Sequence, residues 1–213
     1  MSGLRCYLCG STQSITRDHV PPKNLFPKPR PSNLVTVPCC YKCNNRYSKE
    51  DEYFRLAVCC PINANQLGKT MWDAKVMRNT VKKRRIGPLV DEIVRTLKPA
   101  ILRTPLGDIH GTQIHVDANM VKSVLIRITK GLLSIVHPEV ERDNLTFEVI
   151  HINRFKLHSI VTSGVASHFT PYVVGDGVYR HWRALAKEDT HNGIWVHMFY
   201  DAATWMVRHA RKP

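Results

Sequence analysis

Two Cys-x-x-Cys pairs, Cys6 with Cys9 and Cys40 with Cys43, stand about thirty residues apart near the start of the chain. Four thiolates so spaced make the tetrahedral ligand set of structural zinc, and a closed site of this kind holds together a fold too small to hold itself. Cys39, next to Cys40, is an alternative third ligand. The Cys59–Cys60 pair lies outside the spacing and reads as small, buried apolar side chains. Seven cysteines, an odd number, argue for thiolate metal ligation in a reducing compartment rather than a disulfide scaffold. The opening MSGLRCYLCG has no apolar signal core, and no window approaches the roughly eighteen apolar residues of a membrane span. The expectation is a cytoplasmic protein without a membrane partner.

Around the cysteines the chain reads as strand, loop, strand, helix. CYLCG places two thiols across a tight turn closed by Gly10, as a short hairpin. SITRDHV is a strand halted by Pro21 and Pro22, which cannot donate to a ladder, so Asp18 and His19 sit at a strand end. A proline-rich basic loop follows. LVTVP is the second strand, and CYKCNNRYSKEDEYFR begins as a knuckle and continues as a helix. Turn residues in PINANQLG mark a boundary near residue 60, which divides a module over 1–60 from a second part over 61–213.

The second part begins with basic helices over 69–103: one over 69–85, and one opened by Pro88 with Leu89, Ile93, Val94 and Leu97 on one face, stopped by Pro99. Asp117 caps a helix over 117–136 with Val121, Val124, Leu125, Ile128, Leu132 and Ile135 at core spacing. From residue 145 to 210 the period changes to two, in LTFEVIHI, HSIVT, PYVV, GVYRHWRAL, GIWVHMFY and TWMVRH. The expected class is α+β, with a mostly antiparallel sheet packed on the Asp117 helix. His110 and His115 read as loop residues.

A net charge of +14, concentrated in residues 1–103, points to a polyanionic partner such as nucleic acid. Arg46 and Lys49 share a helix face and are candidate phosphate contacts. The run Lys82, Lys83, Arg84 and Arg85 is a stronger one, because four adjacent cations repel unless a polyanion screens them. Tyr179, Arg180, His181, Trp182 and Arg183 interleave rings with cations in a pattern that suits nucleic acid or a half-wet sheet.

Between the cysteine pairs lie Asp18-His19, then Asn33 fourteen residues after His19, and Asn44 directly follows Cys43. In this arrangement residues 5–55 resemble the HNH endonucleases, the ββα-metal nucleases, in their zinc-stapled form. The Asn33 to Asn44 interval is longer than that pattern by a residue or two, and Asn45 is an alternative to Asn44. The residue types suit the chemistry. A neutral imidazole is a competent general base near pH 7, the role expected of His19, while a carboxylate and an amide oxygen are hard ligands for Mg²⁺ or Mn²⁺, the role of Asp18 and Asn44. The resemblance implies that Asn33 braces the histidine loop and that cleavage leaves 5′-phosphate and 3′-hydroxyl ends; double-stranded DNA is the favoured substrate, with nicking, single strands, branched structures and RNA left open. A homodimer or a partner protein is left open. Two other readings keep the cysteines: a zinc-ribbon nucleic-acid-binding or adaptor protein, and, ranked last, a thiol redox protein.

Overall fold

Ile15–Val20 (β1) and Val35–Cys40 (β2) pair antiparallel, with Asp18 opposite Val37 and His19 opposite Thr36. β1 ends where Pro21 begins, as the missing N–H requires. β2 tolerates Pro38 because its sheet has only two strands, so one edge needs no donor. The structure is a computed structural model that describes residues 4–60, 64–74, 88–105, 107–152, 171–186 and 189–213.

The chain then enters Tyr41–Arg46 (α1) and Ser48–Cys59 (α2). The expected single helix is broken at Tyr47, whose φ of −104° and ψ of 16° lie off the helical values. Local polar groups compete with the helix ladder there. The Ser48 hydroxyl donates to the Asn45 carbonyl at 2.7 Å, and the Asn45 amide donates back to the Tyr41 carbonyl at 2.9 Å.

Gln66–Trp72 (α3) and Pro88–Arg95 (α4) follow, and residues 75–85 of the expected 69–85 helix lie outside the described residues. Ile93 is buried as the periodicity predicts, but Leu97 is exposed and beyond the helix end. Helix does not continue to residue 103. Lys98–Thr104 (β3) and Gly107–Gln113 (β4) form a hairpin, with Ile101 opposite His110. Pro99 ends the helical pattern and the following residues gain their backbone partners across strands. His110 is therefore a strand residue, not a loop residue, while His115 lies in the loop after β4.

Ala118–Val136 (α5) is capped by Asp117, whose Oδ1 accepts from the Asn119 and Met120 amides at 2.8 and 3.3 Å. Its stripe of Val121, Val124, Leu125, Ile128 and Leu132 is buried. Ile135, placed in the same stripe by its spacing, is exposed in the last turn of the helix.

Leu145–His151 (β5), Tyr172–Val174 (β6), Tyr179–Leu185 (β7), Gly193–Phe199 (β8) and Ala203–Arg211 (β9) form an antiparallel sheet in the order β5-β9-β8-β7-β6. The expected strand over HSIVT lies outside the described residues. One face of this sheet meets α5. His197 bridges the Thr129 hydroxyl at 3.0 Å and the Tyr179 hydroxyl at 2.8 Å, so a buried imidazole has a partner on each nitrogen.

Buried residues on both sides of residue 60 form one continuous core. Phe54 of α2 packs edge-on against Phe199 of β8 at 5.0 Å, the Tyr200 hydroxyl donates to the Leu25 carbonyl, and the Tyr53 hydroxyl accepts from the Asp117 amide at 2.7 Å. One close approach across this core is at Gly131 of α5. A Cβ there would lie 2.6 Å from Cγ2 of Val20, the last residue of β1. Gly131→Ala gains about 1 kcal/mol of helix propensity. The stiff Val20 side chain cannot yield, so overpacking of about 1–3 kcal/mol outweighs that gain. Urea denaturation of the variant should give a midpoint below that of wild type.

Candidate metal centre

The four cysteines converge. The turn over 7–9 folds back so that the Gly10 amide donates to the Cys6 carbonyl at 2.9 Å, and Gly10 takes φ of +69°, which a glycine adopts without a Cβ clash. This brings Cys6 and Cys9 to the junction of β2 and α1, where Cys40 is the N-cap of α1 and Cys43 lies in its first turn. The Sγ atoms of Cys6, Cys9, Cys40 and Cys43 all lie within 4.8 Å of one another. Four thiolates about 2.3 Å from a tetrahedral zinc have their sulfurs roughly 3.8 Å apart. The Cys9 to Cys40 separation is 3.7 Å. The donor set, its geometry and its closure therefore suit a structural zinc, as the spacing predicts.

Backbone amides favour thiolate at the innermost ligand. Burial pushes the Cys6 thiol up, but amide hydrogen bonds from Cys40, Cys9 and Leu8 outweigh it and bring the pKa down to about 7. Cys39 lies outside the group, although its Sγ is 3.9 Å from that of Cys6. It is fully buried, and burial raises its thiol pKa. Strand geometry decides between the neighbours, since successive side chains of β2 point to opposite sides. Burial likewise pushes Cys59 up to about 12 and Cys60 up to about 11, and neither joins the group.

Beside the thiolates, the same hairpin and helix carry the polar residues singled out above. Asp18 is half-buried, and its Oδ2 accepts from the Tyr7 hydroxyl at 2.9 Å. Burial raises its carboxyl pKa, opposed by that hydrogen bond and by the charge of Arg127. His19 is also half-buried; burial, then the charge of Lys23, lowers its imidazole pKa below 6.5, with Asp18 acting the other way and Arg30 adding to the fall. Asn44 reaches back to β1: its Nδ2 donates to the Thr16 hydroxyl at 2.9 Å and to the Arg17 carbonyl at 3.3 Å, the residue before Asp18. With the nitrogen turned to β1, Oδ1 is the amide's remaining acceptor. Asn45 instead bonds its own helix and is exposed, so Asn44 is the one that meets β1. Asn33 is tied elsewhere, its Nδ2 donating to the Val173 carbonyl of β6 at 2.9 Å.

The expected phosphate contacts divide. Arg46 and Lys49 are exposed on α1 and α2. Lys82, Lys83, Arg84 and Arg85 lie outside the described residues. On β7 the aromatic rings are not a free stacking surface, because Tyr179 and His181 are buried and packed on each other at 5.6 Å. Arg180 is engaged by Asp201, Trp182 is half-buried, and Arg183 is exposed. The alternation is that of a sheet with one buried face.

One participant carries no motif. Arg127 of α5 is buried; its Nη2 donates to Asp51 Oδ1, and its guanidinium lies 4.4 Å from the centre of the Tyr47 ring. Its charge also acts on Asp18 and Tyr7. A cation beside the apolar stripe of a helix was the available signal. Compared with known proteins, the chain matches no family model, no curated protein and no solved structure.

Proposed function

We propose that this chain is a metal-dependent endonuclease of the HNH type that hydrolyses phosphodiester bonds of DNA, foreign DNA among its targets. The observation that supports the reading is that Asp18 and His19 stand at the end of β1 while Asn44, in the helix that follows β2, bonds that same strand at Thr16 and Arg17, beside the four-cysteine centre. His19 acts as general base. Its lowered pKa keeps it neutral at pH 7, ready to accept a proton from water. Asp18 and the Asn44 Oδ1 are a hard oxygen pair that fits Mg²⁺ or Mn²⁺, with most positions left to water and phosphate. When bound, that ion neutralises charge building on the phosphate and on the departing 3′ oxygen. The Tyr7 hydroxyl orients Asp18, and the bonds to Thr16 and Arg17 orient Asn44. The exposed Arg46 and Lys49 supply phosphate contacts. Asn33, fastened to β6, holds the end of the loop that follows His19.

Supercoiled plasmid tests this. Purified protein with Mg²⁺ or Mn²⁺ should convert it to nicked or linear DNA, and EDTA should stop the conversion without removing the tightly held zinc. Plasmid, linear duplex, single-stranded and branched DNA left intact under every metal, with retained DNA affinity, would instead identify a zinc-ribbon binding protein.

A further inference from the structure

We infer that Arg127 is a positioning residue of the candidate ion site, holding β1 and the α1–α2 junction in the arrangement in which Asp18 and Asn44 serve one divalent ion. The inference rests on the nuclease reading and extends it to a helix outside the hairpin and knuckles.

The geometry is convergent. Arg127 and Gly131 are four residues apart, so they share a face of α5. Gly131 lets that face close onto Val20, which follows His19 directly. Arg127 thereby meets the hairpin unit from behind, 76 residues along the chain from its partner Asp51. Its guanidinium engages two points: Asp51 in the first turn of α2, and the ring of Tyr47 at 4.4 Å. Tyr47 is where α1 stops and α2 starts, three residues after Asn44. An arginine suits this position better than a lysine because its planar fork can bond a carboxylate and stack on a ring together. A buried guanidinium is costly without partners, and its Nε has none among the described residues, so the partners it does have fix its place. The carboxylates around it are Asp51 and Asp18, the second of which accepts from the Tyr7 hydroxyl. Two carboxylates in one half-buried region repel, and the guanidinium is the cation acting on both.

Charge and position predict opposite signs. As a mere nearby positive charge, Arg127 would weaken cation binding, and its removal would strengthen it. As a positioning residue, its removal weakens binding. The test is Mn²⁺ titration of the zinc-loaded full chain, followed by electron paramagnetic resonance, for wild type, Arg127→Lys and Arg127→Met. Arg127→Met should bind Mn²⁺ about 10–100-fold more weakly at unchanged zinc content, with Arg127→Lys between the two, as expected when the support of a ligand is lost. Equal or tighter Mn²⁺ binding by Arg127→Met overturns the assignment while leaving the nuclease reading intact. A zinc-loaded wild type that binds no Mn²⁺ and cuts no DNA overturns both. Should Arg127→Met not accumulate as folded protein, Tyr47→Leu, which removes the ring under the guanidinium without changing charge, takes its place, with weaker Mn²⁺ binding expected and unchanged Mn²⁺ affinity overturning the assignment.

Discussion

His19→Ala should leave a folded, zinc-loaded protein that binds DNA with near wild-type affinity and cuts it about 10²–10⁴-fold more slowly, the usual worth of a positioned general base. His19 is half-buried, and no hydrogen bond from its ring anchors it among the described residues, so truncation removes little of the fold. The pH profile provides an independent check. A base works only when unprotonated, and burial with the charges of Lys23 and Arg30 lowers the His19 pKa below 6.5. Wild-type cleavage should therefore be flat near neutrality and fall only on the acid side of pH 6.5. The residual activity of His19→Ala should lack that acid limb. A loss of DNA affinity or zinc equal to the loss of rate would make the residue structural.

Cys40→Ser should have the larger effect on the molecule itself. Structural zinc contributes about 10–16 kcal/mol of binding free energy that is also folding free energy. Cys40 serves twice, as a member of the sulfur group and as the cap that accepts the Cys43 amide at 3.5 Å. Its loss should reduce zinc to well below one equivalent, measured by elemental analysis, and raise hydrogen exchange across β1, β2 and α1. Cys39→Ser is the control. Cys39 is next in sequence and as deeply buried, but lies outside the group. It should keep its zinc and lose about 1–3 kcal/mol for a buried hydroxyl. A Cys40→Ser protein that keeps a full zinc equivalent would move the third ligand to Cys39.

The features legible in the sequence are those set by near neighbours. The thiol spacing implied a four-cysteine group, Pro21 ended β1, and the Asp117 cap with its apolar stripe placed α5. Alternation marked β5, β7, β8 and β9, but not which face is buried. That choice depends on where α5 lies, and it sends Tyr179 and His181 inward, away from a surface role. Residues 98–104 carry Pro99 and become strand only by pairing with 107–113, a partnership periodicity does not reveal. Arg127 was hidden for the same reason: its partners Asp51 and Tyr47 are remote in sequence. Asn33 likewise finds its partner in β6, at Val173.

The unbroken core has a consequence for modularity. Phe54 rests on Phe199, Leu25 on Tyr200, and Val20 on Gly131, so the hairpin-and-helix unit shares its apolar floor with α5 and the five-stranded sheet. Residues 4–60 should not fold as a cassette when grafted onto another protein. Such a chimera would present those side chains to water and aggregate, however well its cysteines hold zinc. Changes to the hairpin-and-helix unit must therefore be made by substitution on the intact chain rather than by exchange of parts.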